Sequence, residues 1–592
     1  GGDVVYIGLF TEAYALNIPP GVNIVQSSGY SRIGIGAALY AFDPAVDAAY
    51  VATFPRESFI TTNGRGFRLA DTLRTVDMFG ADPTGTADST DAFNAALRSQ
   101  LPSVSGNDAF DLFLTVDVPP GRYKLGGDDK SVYVRKGQHL RGAGQGAAQL
   151  DAAGTEFNVN PIIQMGTSPA NPLNEFGHYG DDGGLCSEIS GLWTIGGPHA
   201  AGFIHNEYCP GWSVTGCWFS AAGIAINAKA VDGMINHCTF DIGLTGILLD
   251  ASTTTISECL FFWNNYGVRV DSSSDCTIND CIFDFTNYSS IFVGKDQNDT
   301  KIKSLNIQGC KFFMNVQWET FIGSIVFSCQ DARVSIDDCA FRNIKGYAIT
   351  HSIGIGNKVN INSCLFDGAR THDLYNQGNT MGAVNASNMD VTMNGCTMRG
   401  LYVSPILVGG TLSTTFRGSN LEFLDNFGDV TELNITAASG SVHLNNCIGD
   451  GRLMFNAQGN VNVFASGLTN WLNPPAAVGG RNRVLVPRQL ANSFDMTVRA
   501  NVLPGGNGLY RKTARYAVES QYGYSAGAPV TSLATATILA SPATDFLPAL
   551  DVQFEIDEVG GGTTAPGSTY GYIAVSWPTT YDFPELRVEP VL

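Results

Sequence analysis

Carboxylates stand beside aromatic and basic side chains in two stretches of this sequence. One contains Trp318 and Glu319, and the other, 367–375, reads Asp-Gly-Ala-Arg-Thr-His-Asp-Leu-Tyr. Two carboxyl groups that flank one bond can share the roles of general acid and general base, as hydrolysis of a glycosidic bond requires. A histidine at this place is a candidate base. We therefore predict four catalytic residues: Glu319, Asp367, Asp373 and His372.

Aromatic and polar side chains near these carboxylates are candidates for substrate binding. Indole and phenol rings combine a flat apolar body with a polar edge, which suits contact with sugars. Long loops that carry acids and aromatics along one side of a fold would form an elongated groove for a polymeric glycan. The predicted substrate-binding residues are Trp318, Arg370, Tyr375, Trp263 and Asp284.

The stretch 367–375 also permits a different reaction. Arg370 can neutralise the carboxylate of a uronic acid, and His372 or Tyr375 can remove the C5 proton, so that the bond breaks by β-elimination. The residues leave both reactions open. Candidate carboxylates outnumber candidate bases on these loops, which favours hydrolysis.

Eight of the 13 cysteines lie in one six-residue frame. An apolar residue stands at the first position, Cys at the fourth, and Phe or Met at the sixth. Successive copies lie 21 to 32 residues apart. A period in this range with variable insertions predicts a solenoid. The cysteines of the frame are Cys217, Cys238, Cys259, Cys281, Cys310, Cys339, Cys364 and Cys396.

Short apolar segments such as Gly246-Ile247-Leu248-Leu249 lie between the cysteine frames, and no amphipathic helix separates them. Each repeat therefore holds two or three strands, which predicts a parallel β-helix of about thirteen coils stacked ~4.8 Å apart. Cys and Phe two positions apart point to the same side of a strand. We predict that the thiols form a buried interior ladder of small apolar residues rather than a metal or redox site.

Asp241, Asp284 and Asp367 directly follow the Phe of the frame and therefore share one turn position. Two coils separate Asp241 from Asp284, which places them ~9.6 Å apart along the stack. That is close to the upper end of the roughly 6.5–9.5 Å carboxyl separation in inverting glycosidases. The other interpretation is that each Asp caps its turn.

Composition excludes several classes of protein. The 592 residues are 44% apolar and 15% charged, which predicts a folded chain with a large core. The net charge of −20 argues against a nucleic-acid partner. No apolar run is long enough to cross a membrane. No Cys-x-x-Cys or zinc-knuckle spacing occurs, so we predict no metal and no cofactor.

Four regions follow from these patterns. Residues 1–71 are predicted to be an N-terminal adaptor or linker, and 72–130 a capping helix with the start of the β-helix. Residues 131–472 are the predicted catalytic parallel β-helix, ended by Asn473-Pro474-Pro475. Alternating apolar runs in 473–592 predict a C-terminal antiparallel β-sandwich that holds subunits together or contacts glycan. The fold class is thus all-β, with a right-handed parallel β-helix at its centre.

Residues 76–93 read VDMFGADPTGTADSTDAF, and 116–123 read VDVPPGRY. This pairing closely resembles the start of the pectate-lyase-like β-helix superfamily, as found in bacteriophage tailspikes. In that family the helix covers the open end of the solenoid. The resemblance implies a homotrimer that joins a phage tail or baseplate through its N-terminal region. It also implies a place in the virion tail after synthesis in the bacterial cytoplasm.

The resemblance further implies that the chain binds and endo-cleaves a bacterial surface polysaccharide, either capsule or O-antigen. Carboxylate-pair hydrolysis is the expected mechanism, and β-elimination on a uronic-acid glycan is the first alternative. A non-catalytic adhesin that binds the same glycan is the second alternative. A secreted bacterial lyase unrelated to any virion is the third, although residues 1–71 argue against it, because a free enzyme needs no adaptor.

Overall fold

The computed structural model describes residues 4–99, 114–135, 137–166, 187–207, 209–230, 232–250, 253–272, 275–294, 304–313, 322–352, 355–368, 381–401, 403–424, 426 and 432–449. It also describes the backbone of nine later strands, which lie between residues 455 and 590. The chain divides into two compact units, Gly1–Phe292 and Val293–Leu592. Each unit has its own architecture.

The first unit opens with a five-stranded sheet built around aromatic rings. The ring of Phe10 stacks on Tyr30 and Tyr40 at centroid distances of 4.8 and 5.2 Å, and it meets Phe59 edge-on at 5.9 Å. Such clusters bury a large apolar area in a small module. The strands are Val4–Leu9, Ile24–Gly29, Leu39–Phe42, Ser58–Ile60 and Gly66–Leu69, accompanied by the 3-10 helix Phe10–Ala15 and the α-helix Ala48–Thr53. The region predicted to be an adaptor therefore has its own core.

An α-helix at Thr90–Arg98 lies where the sequence predicts the capping helix. Its apolar side is buried, and the ring of Phe93 meets Tyr123 edge-on at 5.6 Å. The Asn94 side chain donates to the carbonyl of Ser131 at 2.8 Å. The helix is thus fixed to the beginning of the β-helix by packing and by hydrogen bonds. Two 3-10 helices flank it, at Val76–Phe79 and Gly127–Asp129.

Seven coils follow within the described part of the first unit, and each coil has three parallel strands, which we call a, b and c in chain order. Strands a are Thr115–Val118, His139–Gly142, Ser187–Ser190, Trp212–Thr215, Gly233–Asn236, Thr254–Ser257 and Asp275–Asn279. Strands b are Gly121–Lys124, Ala148–Ala152, Trp193–Gly196, Trp218–Ser220, Thr239–Asp241, Leu260–Phe262 and Ile282–Asp284. Strands c are Val132–Val134, Ile163–Met165, Ile204–Asn206, Ile224–Ala228, Thr245–Asp250, Tyr266–Ser272 and Ser289–Val293. Arg74–Thr75 and Thr84–Asp88 pair with the first a and b strands.

The predicted interior ladder is present in these coils. The rings of Phe219, Phe240, Phe261 and Phe283 stack in one column at centroid distances of 5.1, 4.8 and 4.6 Å. Each cysteine of the frame is buried, and the thiol of Cys238 donates to a backbone carbonyl of the preceding coil at 3.5 Å. Alternation along a strand explains the frame, because residues two apart share the inner face.

The corner before each framed cysteine has a left-handed backbone. In the first unit the φ values are 61° at Gly216, 52° at His237, 52° at Glu258 and 51° at Asp280. This conformation lets the chain turn sharply between strands a and b, and glycine adopts it without strain. The short strands of each coil therefore end at fixed corners.

The second unit repeats the pattern in five complete coils and in three further strands, two of type a and one of type c. Its strands a are Ser304–Gln308, Arg333–Asp337, Asn357–Asn362, Met389–Asn394, Ser413–Ser419, Ser439–Asn445 and Asn460–Ser466. Its strands b are Lys311–Phe313, Ala340–Arg342, Leu365–Asp367, Thr397–Arg399 and Glu422–Leu424. Its strands c are Gly323–Phe327, Tyr347–His351, Gly382–Asn385, Ile406–Val408, Leu433–Ile435 and Phe455–Ala457. Phe312, Phe341 and Phe366 stack in its interior at 4.6 and 4.9 Å.

The last strands of the second unit form two antiparallel sheets. One has the strands Asn482–Val486, Tyr570–Ser576 and Asp551–Asp557, in that order. The other has Ala536–Ala540, Leu509–Val518, Ser493–Val502 and Tyr581–Pro590. Antiparallel strands are therefore present where the sequence predicts them, and their arrangement as a sandwich stays a prediction. Among the described helices, none has the length and apolar character of a membrane-crossing segment.

Candidate active site

Three of the nine predicted site residues lie within the described structure. Trp263 and Asp284 belong to the first unit, and Asp367 belongs to the second. The other six lie outside the described residues, and their roles stay predictions: Trp318, Glu319, Arg370, His372, Asp373 and Tyr375.

Asp241 and Asp284 end two b strands of the first unit and face outward, because the preceding Phe of each strand faces the core. Both are in register with Phe262, which ends the b strand between them. The two carboxyl groups therefore flank one aromatic ring, at a spacing of two strand steps or ~9.6 Å. The strand register thus places the two residues two coils apart in the same row, as the frame predicts.

Burial changes the acidity of both groups. The pKa of Asp241 is raised because its carboxyl group is partly desolvated. The pKa of Asp284 is also raised by desolvation, and a hydrogen bond from the backbone N–H of Phe285 partly offsets the rise. In Asp241, one carboxyl oxygen, Oδ1, is enclosed and has no hydrogen-bond partner among the described residues. At the same position, Asp284 accepts the N–H of the next residue, as the turn-capping interpretation predicts.

Aromatic rings continue this surface at the corner that follows strand b. Trp263 and Phe285 stack at a centroid distance of 5.1 Å with their planes 11° apart. Phe262 meets these rings edge-on at 5.8 and 5.6 Å. All three side chains are partly exposed. Flat apolar rings beside two carboxyl groups are the usual composition of a site for a neutral, hydroxyl-rich ligand.

The backbone of this corner is strained in the first unit. Ile242, Trp263 and Phe285 have φ values of 53°, 56° and 52°. A left-handed backbone costs roughly 1–2 kcal/mol for such residues. Corners after strand b in the second unit have Asn343 and Gly400, which accept this conformation more easily. Packing does not require large exposed side chains at strained positions, so their presence here favours a functional role.

Asn264 holds the aromatic corner in place. Its side-chain amide donates to the carbonyl of Phe240 at 2.8 Å and to that of Phe262 at 3.1 Å, and its oxygen accepts from the N–H of Gly243 at 3.2 Å. The residue is buried and joins two adjacent coils. Because it follows Trp263 directly, its hydrogen bonds fix the backbone that presents the indole ring.

A pair of tryptophans on the same outward face escaped the sequence prediction. Trp193 and Trp218 are in register on adjacent b strands and stack at 5.2 Å. Trp218 is also in register with Thr239, two residues before Asp241. The residue between Cys and Phe of the frame must face outward. Trp218 at that position was therefore the signal in the sequence for an aromatic surface on this face. The indole N–H groups of both rings are enclosed and lack partners among the described residues.

Asp367 occupies the corresponding position in the second unit, in register with Arg342 and Arg399. Its carboxylate forms an ion pair with the Arg399 guanidinium at 2.7 Å, and its side chain is only 11% exposed. The pair raises the pKa of Arg399. The Asp367 carboxylate is thus held by a charge-assisted hydrogen bond to the next coil, which fixes its position on this face.

The described residues contain no group of three His, Cys, Asp or Glu side chains placed to hold a metal ion. The described geometry of the first unit supplies two outward-facing carboxyl groups with raised pKa values. A raised pKa extends the pH range over which a carboxyl group stays protonated, which is the direction that a proton donor needs.

Comparisons with known proteins agree with the fold. The family model described as "Right handed beta helix region" matches residues 222–421. Among curated proteins, no sequence matches the chain. The predicted right-handed parallel β-helix is therefore confirmed by the strand pairing and by this family model.

Several solved structures resemble the chain in backbone course. The tailspike of Acinetobacter phage vb_AbaP_AS12 has 12% identity over 96% of this chain and 99% of its own, with a TM-score of 0.44. Tailspike protein 3 of bacteriophage CBA120 has 11% identity over 80% of this chain and 79% of its own, with a TM-score of 0.43. The catalytic unit of a GH87 α-1,3-glucanase from Streptomyces thermodiastaticus has 14% identity over 69% and 74%, with a TM-score of 0.38.

Proposed function

We propose that this right-handed β-helix protein is a phage tailspike that binds a bacterial surface polysaccharide, capsule or O-antigen, and cleaves it internally. The observation that carries the proposal is the row formed by Asp241, Phe262 and Asp284, with the stacked rings of Trp263 and Phe285 beside it. A surface of two carboxyl groups and several aromatic rings on the side of a β-helix suits a long chain of sugars.

In the proposed reaction Asp241 is the general acid and Asp284 the general base. Asp241 lacks a partner for Oδ1, whereas the Asp284 carboxylate accepts a backbone hydrogen bond that favours its ionised form. Protonated Asp241 would donate its proton to the leaving glycosidic oxygen. Ionised Asp284 would take a proton from the water that attacks the opposite face of the sugar. A spacing of ~9.6 Å leaves room for that water, so we expect inversion at the anomeric carbon.

The aromatic surface would bind the sugars on either side of the cleaved bond. Trp263 and Phe285 present ring faces at a strained corner, and Trp193 with Trp218 adds a second aromatic pair on earlier b strands of the same sheet. Stacking of sugar rings on flat apolar side chains needs no charge, so these contacts would orient a neutral or an acidic chain.

The site predicted from the loops of the second unit is the second candidate. Glu319, Asp373 and His372 would supply acid and base there, and Trp318, Arg370 and Tyr375 would bind substrate. The ion pair of Asp367 with Arg399 supports a carboxylate that stays ionised. β-Elimination at this site, with Arg370 on a uronate and His372 or Tyr375 as base, is the alternative mechanism.

The proposal includes the assembly that the sequence resemblance implies. The aromatic core of residues 4–69 supports a separate N-terminal module that attaches the protein to a phage tail or baseplate. A homotrimer in the virion tail is the proposed state. Static light scattering of the purified full chain tests it, and a mass of one subunit would contradict it.

Cleavage assays on a panel of purified capsules and O-antigens test the function. Reducing ends and absorbance near about 235 nm are followed together, because only β-elimination creates an absorbing double bond. Reducing ends without absorbance support hydrolysis, and both signals rising together support the lyase. A polysaccharide that binds without either signal supports the adhesin.

Variants then distinguish the two sites. Loss of activity in Asp241→Asn and in Asp284→Asn supports the first-unit site. Asp280→Asn is the control and should stay active. Asp280 is exposed on the same coil as Asp284, and its left-handed backbone is one that Asn accepts. Full activity of both first-unit variants, with loss in Glu319→Gln or Asp373→Asn, would move the reaction to the second candidate.

A further inference from the structure

The outward face of strands a in the second unit carries a polar pocket. Its lining residues differ in type from those of the aromatic site. Its volume is about 460 Å³, within the roughly 300–1,000 Å³ of small-molecule sites. No aromatic side chain lines it. The lining residues are Arg333, Lys358, Asn360, Asp390, Thr392 and Arg417.

Strand register brings three cations together in this pocket. Arg333 is the direct cross-strand neighbour of Lys358. Arg417 is the direct neighbour of Thr392, which in turn pairs with Asn360. All three cationic side chains are exposed. Arg333 and Lys358 are like charges directly opposite each other, which destabilises a sheet, although Lys358 has Asp390 opposite it on its other side.

These cations lack internal partners in the described part of the chain. None of the three forms an ion pair or a side-chain hydrogen bond there, although Asp390 is in register with Lys358. Other described arginines do pair, as Arg399 does with Asp367. In a chain with a net charge of −20, three unpaired cations around one pocket form a local positive field.

We propose that this pocket is a second glycan-binding site, which takes an acidic polysaccharide by the carboxylate of a uronic acid. Arg417 would hold the carboxylate through its planar guanidinium, and Lys358 would add a second charge. Asn360 and Thr392 lie on adjacent strands between these cations and would bond the sugar hydroxyl groups. This site does not depend on the carboxyl pair of the first unit.

Asp390 gives the pocket a further selectivity. It lies on the same face as Thr392, two residues before it, and is partly exposed. Its carboxylate can accept from sugar hydroxyl groups, but it repels a second anion nearby. We therefore expect the pocket to prefer glycans in which acidic and neutral sugars alternate over chains in which every sugar is charged.

The test measures binding of defined oligosaccharides to the full-length protein by isothermal titration calorimetry. The probes are a hyaluronan hexasaccharide, in which glucuronate alternates with a neutral sugar, and neutral chitohexaose. The variant is Lys358→Gln with Arg417→Gln. Its matched control is Lys124→Gln with Lys311→Gln, which removes the same charge from exposed positions outside the pocket.

We expect the hyaluronan Kd to rise at least about tenfold in the pocket variant and to stay unchanged in the control, as the loss of charge-assisted hydrogen bonds predicts. Chitohexaose should bind no better to the wild type than to the variant at this site. Equal hyaluronan affinity in both double variants, or no preference for hyaluronan over chitohexaose, would overturn the proposal.

Two further measurements distinguish glycan binding from two other roles of the pocket, which are binding of any anion and contact between subunits. Inorganic phosphate that displaces hyaluronan completely at equal charge concentration would show that the pocket reads charge alone, which contradicts the proposed sugar contacts. A change of oligomeric mass in the pocket variant, by light scattering, would assign the face to contact between subunits and overturn the glycan site. Retained hyaluronan binding in Asp241→Asn confirms that this site is independent of the proposed reaction.

Discussion

At the residue scale, the carboxyl groups of Asp241 and Asp284 differ by one hydrogen bond. Desolvation raises the pKa of both, but only Asp284 accepts a backbone N–H, from Phe285, that favours its charged form. Pairs of titratable groups whose surroundings separate their pKa values are the usual acid and base of a hydrolase. In the proposed reaction the order of protonation follows from the two roles, because Asp241 must donate a proton and Asp284 must accept one.

The pH dependence of cleavage should follow this order. Activity should fall as pH rises through the raised pKa of Asp241, which must be protonated, and as pH falls through that of Asp284, which must be ionised. Asp241→Asn should lower kcat by roughly 10²–10⁴-fold and remove the alkaline limb. Profiles of kcat against pH for both Asn variants check this, with Asp280→Asn as control. An unchanged alkaline limb in Asp241→Asn would contradict the assignment.

The same raised pKa predicts how stability depends on pH. Because the folded chain holds the Asp241 proton more tightly than the unfolded chain does, the contribution of Asp241 to stability is fully present below the unfolded pKa of about 3.9 and is lost as pH rises through the folded value. Asp241→Asn should therefore have a higher Tm than the wild type at neutral pH, and the difference should vanish in acid. Thermal unfolding of both proteins across pH measures it. A lower Tm at neutral pH would show that the charged form is not disfavoured.

Trp263 should contribute more to glycan binding than to folding. Trp263→Asn relieves a left-handed backbone, worth roughly 1–2 kcal/mol, but loses ring stacking worth about 0.5–1.5 kcal/mol. We expect a Tm near that of the wild type and a KM at least about tenfold higher, as loss of an aromatic anchor predicts. Ala221→Asn is the control, because Ala221 also has a left-handed backbone, with φ of 55°, at the equivalent corner after strand b of another coil. A large fall in Tm with unchanged KM would make Trp263 a structural residue.

At the element scale, strand b presents successive residues to opposite environments. Phe261 is fully buried in the ring column, and its neighbour Phe262 faces outward between Asp241 and Asp284. Phe261→Leu should therefore lower stability by about 1–3 kcal/mol, because it leaves a gap in a packed column. Phe262→Leu should leave stability nearly unchanged and raise KM. Denaturant unfolding and cleavage kinetics of both variants measure this contrast. Equal effects on both quantities would contradict the assigned faces.

The same alternation explains how far the sequence could predict the elements. The frame around Cys238 and Phe240 specifies strands, their inner faces and their corners, and the β-helix follows from these. The ion pair of Asp367 with Arg399 joins residues 32 positions apart. Each residue directly follows the last residue of its frame, Phe366 or Met398, so the frame predicts their register whatever the length of the insertion between them. The frame therefore contained the signal for this ion pair, although the sequence analysis named only Asp367.

At the scale of the whole molecule, the repeat predicts the architecture better than it predicts the site. Every coil offers the same outward positions, so periodicity alone does not show which coils bind. The strained corners at Ile242, Trp263 and Phe285 mark those coils in the first unit, but backbone angles are not written in the repeat. The cationic pocket around Lys358 likewise depends on which residues of four coils come into register.

The buried thiol column has a consequence for the dynamics of the molecule. The structure describes twelve free cysteines, and all are buried. Each thiol can react only when its own coil opens. The modification rate of each cysteine therefore reports local unfolding of the coil that contains it. In a Cys186→Ser background, modification by excess thiol reagent should reach a rate that no longer depends on reagent concentration. That limiting rate is the opening rate of the coil, and Cys259→Ser should remove one reacting group without changing the others. If the modification rate stays proportional to reagent concentration throughout, each coil opens and closes faster than its thiol reacts. The rate at each cysteine would then give the free energy of opening of its coil.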